Sequence, residues 1–171
     1  MNYTRNAVPE VQIAFYLIGD AIDGAALGNL LQVEPMVSIK KGEQRIQKST
    51  RQTFGFYPES TWGFSSAQAV ESDKIETHTE WLRSKISKAT CNLRSDAGHK
   101  IWIEVTAVNE DPSPILLLPD RLLELASELN ATVGVVTCSD SKAWCENDLI
   151  LNSFTPHPIR PFSSFNPHYG F

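Results

Sequence analysis

The sequence predicts an α+β fold: a mixed, largely antiparallel sheet with two to three helices packed on one face, in the order β-α-β-β-α-β-β-α-β. Three observations carry this expectation. Segments with strand grammar outnumber those with helix grammar, two pairs of strands are joined by turns rather than crossovers, and the strict strand–helix alternation of a doubly wound sheet is missing. The 171 residues suit one domain with an ordinary hydrophobic core. We place that domain at residues 1–140 and a Pro/aromatic-rich extension at 141–171.

The first strand is read from Val11, Ile13, Phe15 and Leu17, which alternate with Gln12, Ala14 and Tyr16. Asp23 then caps a short helix whose Ile22, Ala26, Leu27, Leu30 and Leu31 share one side, and Pro35 ends it. Gly24 and Gly28 each cost that helix about 1 kcal/mol relative to Ala, so they read as a flat ridge that lets it sit close to a sheet. Residues 36–66 read as a meander, with a turn at Lys40-Lys41-Gly42-Glu43 and an aromatic strand at 61–66. Asp73 and Glu76 resemble a capping box before a helix that buries Ile75, His78, Leu82, Ile86 and Ala89, with a glycine stop near Gly98. A strand at 101–108 sets Ile101, Ile103, Val105 and Ala107 on one side and Trp102, Glu104 and Thr106 on the other. A short buried strand at 115–118 follows. Pro119 then opens a helix with the stripe Leu122, Leu125, Ala126 and Leu129; Asn130 caps it, and residues 132–138 return as a strand.

After Cys138 the composition changes. Residues 154–171 hold five of the 16 aromatic residues and four of the ten prolines. The prolines forbid regular helix or central strand, and the aromatics are foreign to ordinary disordered tails. The extension therefore reads as a segment that packs on its own domain or on a partner, with Phe162, Phe165 and Tyr169 as its binding residues.

The formal charge of −5 favours solubility and disfavours a general nucleic-acid binder. No signal-peptide stretch or membrane-spanning run is present, so a cytoplasmic location is expected, with Cys91, Cys138 and Cys145 as reduced thiols. Phosphate-loop, dinucleotide and nucleophile-elbow motifs are missing, and no histidine pair has the helical spacing of a zinc site. Neither cofactor nor metal is expected. His78 falls on an apolar helix stripe and reads as a packing histidine bonded to backbone or to a neighbour such as Glu104, against a catalytic role. The competing constellation is Lys40, Lys41, Arg45, Lys48 and Arg51 beside Phe54, Phe56, Tyr57 and Trp62, the pattern of a single-strand nucleic-acid platform. A solvated hairpin with its aromatics in the core is the plainer explanation.

The middle of the chain resembles the bacterial family known as domain of unknown function 4279. Residues 15–20 with Leu30-Leu31 and Glu34-Pro35, then Lys41-Gly42-Glu43, Thr61-Trp62-Gly63-Phe64-Ser65-Ser66 and His78-Thr79-Glu80-Trp81-Leu82 carry the likeness, over roughly 11–138. The resemblance implies a small α+β domain and supplies no catalytic residues. By analogy with small acidic bacterial proteins, it suggests an immunity or inhibitor type of protein. The first expectation is thus a non-enzymatic protein-binding module that associates with a partner, or with itself, through the tail. The alternative is a small-molecule binder or enzyme with a pocket between sheet and helices, near Trp62, His78 and Trp102.

Overall fold

A computed structural model of the chain describes residues 11–46, 52–87, 89, 93, 98–108 and 117–138, at 54, 68 and 138 by backbone alone. The described elements are β1 (Val11–Gly19), α1 (Gly24–Leu31), β2 (Val37–Ile39), β3 (Gln44–Ile46), β4 (Thr53–Phe56), β5 (Ser60–Ser65), a 3-10 turn (Ser66–Gln68), α2 (Ile75–Ile86), β6 (His99–Val108), α3 (Asp120–Leu129) and β7 (Thr132–Cys138). Five strands form one sheet in the order β2-β5-β1-β6-β7. All of its pairings are antiparallel except β6 with β7, which are joined over α3 and run parallel. Each of the three helices carries a crossover between parallel strands, α1 from β1 to β2, α2 from β5 to β6 and α3 from β6 to β7, but only the last pair are neighbours, so the sheet is mixed and mostly antiparallel. β3 and β4 make a separate two-stranded ribbon beyond β2 and β5, held there by Gly42 N–H to the Tyr57 carbonyl at 2.9 Å and Lys41 N–H to Ser60 Oγ at 3.0 Å.

Register decides which side chains share a face. Phe15 stands opposite Phe64 and Ile103, and Leu17 opposite Trp62 and Ile101. Onto this face α1 sets Leu31, α2 sets Ile75, Leu82 and Ile86, and α3 sets Leu122, Leu125, Ala126 and Leu129, all buried in one core. The rings continue the packing: Phe15 and Phe64 lie 5.5 Å apart, and Trp81 meets Phe64 edge-on at 5.8 Å. The three described α-helices are on one side of the sheet.

The helix ends follow local chemistry. Asp23 accepts the Ala26 N–H at 3.0 Å, as expected of its cap, and Gln32 closes α1 in the left-handed region. Asn130 caps α3 the same way at φ 55°. The expected capping box of α2 is absent: Lys74 is the N-cap, without a side-chain cap bond, and Ser72 Oγ instead takes the Lys74 N–H at 3.1 Å. Nor does α2 run to a glycine stop. It ends at Ile86, and Gly98, at φ 88°, leads directly into β6.

The expected strand at 115–118 also needs correction. Residues 115 and 116 lie outside the described residues; Leu117 and Leu118 are in no strand, and Leu117 is 80% exposed. β1 and β7 flank β6 on both sides, so no pairing position beside it remains, and Pro119 turns the chain into α3.

Candidate binding face

The far face of the sheet, opposite the helices, has a different character. Register sets Tyr16 between Gly63 and Trp102, Ala14 between Ser65 and Glu104, and Gln12 beside Thr106, with Gly134 and Val136 completing the face on β7. The two glycines are where the two large rings lie. A Cβ on Gly63 would fall 2.5 Å from Tyr16 Cδ1, and one on Gly134 2.4 Å from Trp102 Cζ2. Each ring thus leans over the neighbouring strand, and only glycine leaves it space. Tyr16 is fully buried, and Gln12, Glu104 and Thr106 are 8%, 6% and 7% exposed, although no described helix covers this side.

The electrostatics follow from that burial. Desolvation raises the Glu104 pKa, against the Thr106 hydroxyl and the Trp102 indole N–H, which favour the carboxylate. The Thr106 bond is long, at 3.5 Å, and Trp102 Nε1 is buried without a well-formed partner, so desolvation wins. Tyr16 is raised as well, first by burial and then by the nearby Glu104 charge. The face thus sets a carboxyl, an amide and a hydroxyl beside the Tyr16 and Trp102 rings. Perturbed carboxyls of this kind cluster at functional sites.

The sequence-predicted site residues do not converge. Trp62 is on the helix face and Trp102 on the far face, so no single cleft holds both. Trp62 is 1% exposed, and its indole N–H is buried without a partner against Gly24, at the wall of an open cleft of about 620 Å³ lined by Ser38, Lys40 and Thr61.

His78 is fully buried in α2, bonded to serines rather than to Glu104, which is on the opposite face. Its Nε2 donates to the Ser72 carbonyl at 2.7 Å, which in the neutral ring makes Nδ1 the acceptor of the Ser66 hydroxyl at 2.7 Å. Ser66 Oγ also accepts the Ile13 N–H at 2.9 Å, so the pair ties α2 to β1. A serine–histidine contact resembles a nucleophile and its base, but neither side chain reaches solvent.

The basic constellation is dispersed. Lys41 pairs with Asp20 at 2.9 Å, Arg45 stacks over Tyr57 at 5.4 Å, and Trp62 is in the core while Phe56 is 62% exposed. Lys48 and Arg51, together with Phe162, Phe165 and Tyr169, lie outside the described residues. Among the described residues no group of three or more His, Cys, Asp or Glu is placed to hold a metal ion, and no helix is long and apolar enough to cross a membrane. Sequence reasoning did not single out Tyr16, Glu104, Thr106 and Gly134. The alternation of Trp102, Glu104 and Thr106 was visible; that β6 pairs with β1, and so gathers them around Tyr16, was not.

Fold and site together define a two-layer α+β domain with helices on one side and a polar–aromatic sheet face on the other. The chain belongs to the family described as domain of unknown function 4279 (DUF4279), whose model matches residues 9–139. No curated protein and no solved structure matches it.

Proposed function

We propose that this protein is a non-enzymatic protein-binding module of the immunity or inhibitor type, and that the far sheet face receives an extended segment of its partner. The observation that carries the reading is the edge of that face at β7, where Val136 is 39% exposed beside Thr106 and no described strand pairs on the outer side. Aromatic and amide side chains on a flat sheet suit an extended chain, whose rings pack while its backbone finds polar groups. The acidic chain, at −5, favours a basic partner. The test is affinity purification of the full chain from its native host, followed by cross-linking of whatever co-elutes. The reading expects contacts on β1, β6 and β7 residues of the far face. A partner that cross-links only to α2 and α3 would overturn it.

A second reading rests on the unpaired Trp62 indole N–H beside the α1–β2 cleft. A small molecule with an acceptor oxygen could satisfy it once α1 shifts. A thermal-shift screen of metabolites supports this if a hit raises the melting temperature of the wild type and not of Trp62→Phe, which lacks the donor. A screen with no such hit removes it.

A further inference from the structure

We infer that the cleft between the N-terminal end of α1 and β2 binds a small monocarboxylate, whose carboxylate meets the indole N–H of Trp62, the Ser38 hydroxyl and the Lys40 ammonium. This deepens the second reading above and rests on it for the site; the class of ligand is what it adds. Trp62 is 1% exposed, and its Nε1 is buried without a partner. A buried donor left unpaired costs free energy, so such an indole N–H calls for an acceptor. Its place in the fold is the first turn of α1. A Cβ on Gly24 would stand 3.2 Å from Trp62 Nε1 and 3.1 Å from Ser38 Oγ, so the two groups border one notch beside the helix start. Register agrees, since Ser38 of β2 stands opposite Trp62 of β5.

The groups around the notch are mostly donors. Asp23 takes the Ala26 N–H at 3.0 Å on Oδ1 and the Leu27 N–H at 3.1 Å on its carbonyl, which leaves the Gly24 and Ala25 N–H groups without a partner among the described residues. Helix N–H groups of this kind favour negative charge. Lys40 lines the same cleft and is exposed, while its neighbour Lys41 is held by Asp20 at 2.9 Å. The exception is the Asp23 carboxylate, and it sets the charge of the ligand. Its second oxygen repels a dianion such as phosphate, whereas Lys40 and the helix end suffice for one negative charge. A neutral carbonyl would satisfy the indole but leave both without a counter-charge. A carboxylate has two oxygens, so one faces Trp62 and Ser38 while the other faces the helix end. The cleft, at about 620 Å³, has the usual size of a small-ligand site. Reaching the indole requires the first turn of α1 to move outward, and that turn is lightly held, because the buried side chain of the helix is Leu31, at its other end.

The test titrates the full chain by calorimetry with monocarboxylates from acetate to indole-3-acetate, each beside its primary amide, and with inorganic phosphate. The expected result is a carboxylate that binds about ten-fold tighter, or more, than its amide and than phosphate. Lys40→Met and Ser38→Ala, both at exposed side chains, should each weaken it about ten-fold. Lys41→Met, which removes an ammonium engaged by Asp20, should leave it unchanged. In nitrogen–proton spectra, the indole resonance that Trp62→Phe removes should move downfield as the carboxylate saturates the wild type. Should Trp62→Phe fail to fold, the Lys40 and Ser38 variants decide alone. The inference is overturned if no carboxylate binds, if an amide or phosphate binds as tightly, or if Lys40→Met keeps the wild-type affinity. It fails separately from the reading on which it rests. A neutral ligand that binds the wild type and not Trp62→Phe sinks the carboxylate class and keeps the second reading. A carboxylate that binds Trp62→Phe as well as the wild type sinks both.

Discussion

Glu104 is the residue on which the chemistry of the far face turns. Its pKa is raised chiefly by burial, so the folded chain holds that proton more tightly than the unfolded chain. Linkage then fixes the sign: this contribution to stability is fully present below the ordinary carboxylate range and is lost as pH rises through the raised value. Denaturant midpoints measured across acid to neutral pH should show that decline in the wild type, and Glu104→Gln should remove it. An identical slope in the variant would contradict the assignment. Ser66 offers a second test. Ser66→Ala removes the acceptor of the Ile13 N–H and the hydroxyl that meets His78, both fully buried. The loss should be about 2 kcal/mol, or roughly 4–8 °C in melting temperature by calorimetry. The sequence marked His78 as a packing residue because it shares a helical stripe with Ile75 and Leu82. Its serine partners could not be read, because Ser66 and Ile13 meet only through the fold.

At the scale of elements, Gly24 and Gly28 separate two explanations that the sequence had merged. A Cβ on Gly24 would sit 2.6 Å from Trp62 Cδ1, in the core, while one on Gly28 would meet only the Val33 carbonyl at 3.3 Å. Gly24→Ala should therefore destabilise: overpacking costs about 1–3 kcal/mol and the helix-propensity gain is about 1 kcal/mol. Gly28→Ala should cost less than Gly24→Ala, since its one close contact, the Val33 carbonyl, needs to give only a few tenths of an ångström against the propensity gain. Thermal melts of the two variants decide it, and equal losses would restore the reading of a ridge lying flat on the sheet. Elements with strong periodicity and a clear cap, such as α1, α3 and β1, were legible. The run before Pro119 was not, because an apolar sequence looks the same whether or not the sheet has a pairing position for it. The division of the meander into β2–β5 and a separate β3–β4 ribbon was equally hidden, since it depends on register.

For the whole molecule, topology makes one face of the sheet a conventional core and leaves the other polar and aromatic, with Tyr16, Gln12, Glu104 and Thr106 buried on it. The sequence contained both halves of that face, in Gln12, Ala14 and Tyr16 and in Trp102, Glu104 and Thr106. It lacked the pairing of β1 with β6 that joins them. The central claim is that this face binds a partner, and β7 supplies a matched pair of probes. Val136 stands on the far face beside Thr106, and Val135 on the helix side beside Val105; they are 39% and 47% exposed. The decisive measurement is calorimetric titration of the purified partner into the full chain carrying Val136→Arg or Val135→Arg. The claim predicts that Val136→Arg weakens binding at least ten-fold, about 1.4 kcal/mol, while Val135→Arg binds as the wild type does. Equal affinities in both variants, or loss in Val135→Arg alone, would contradict it.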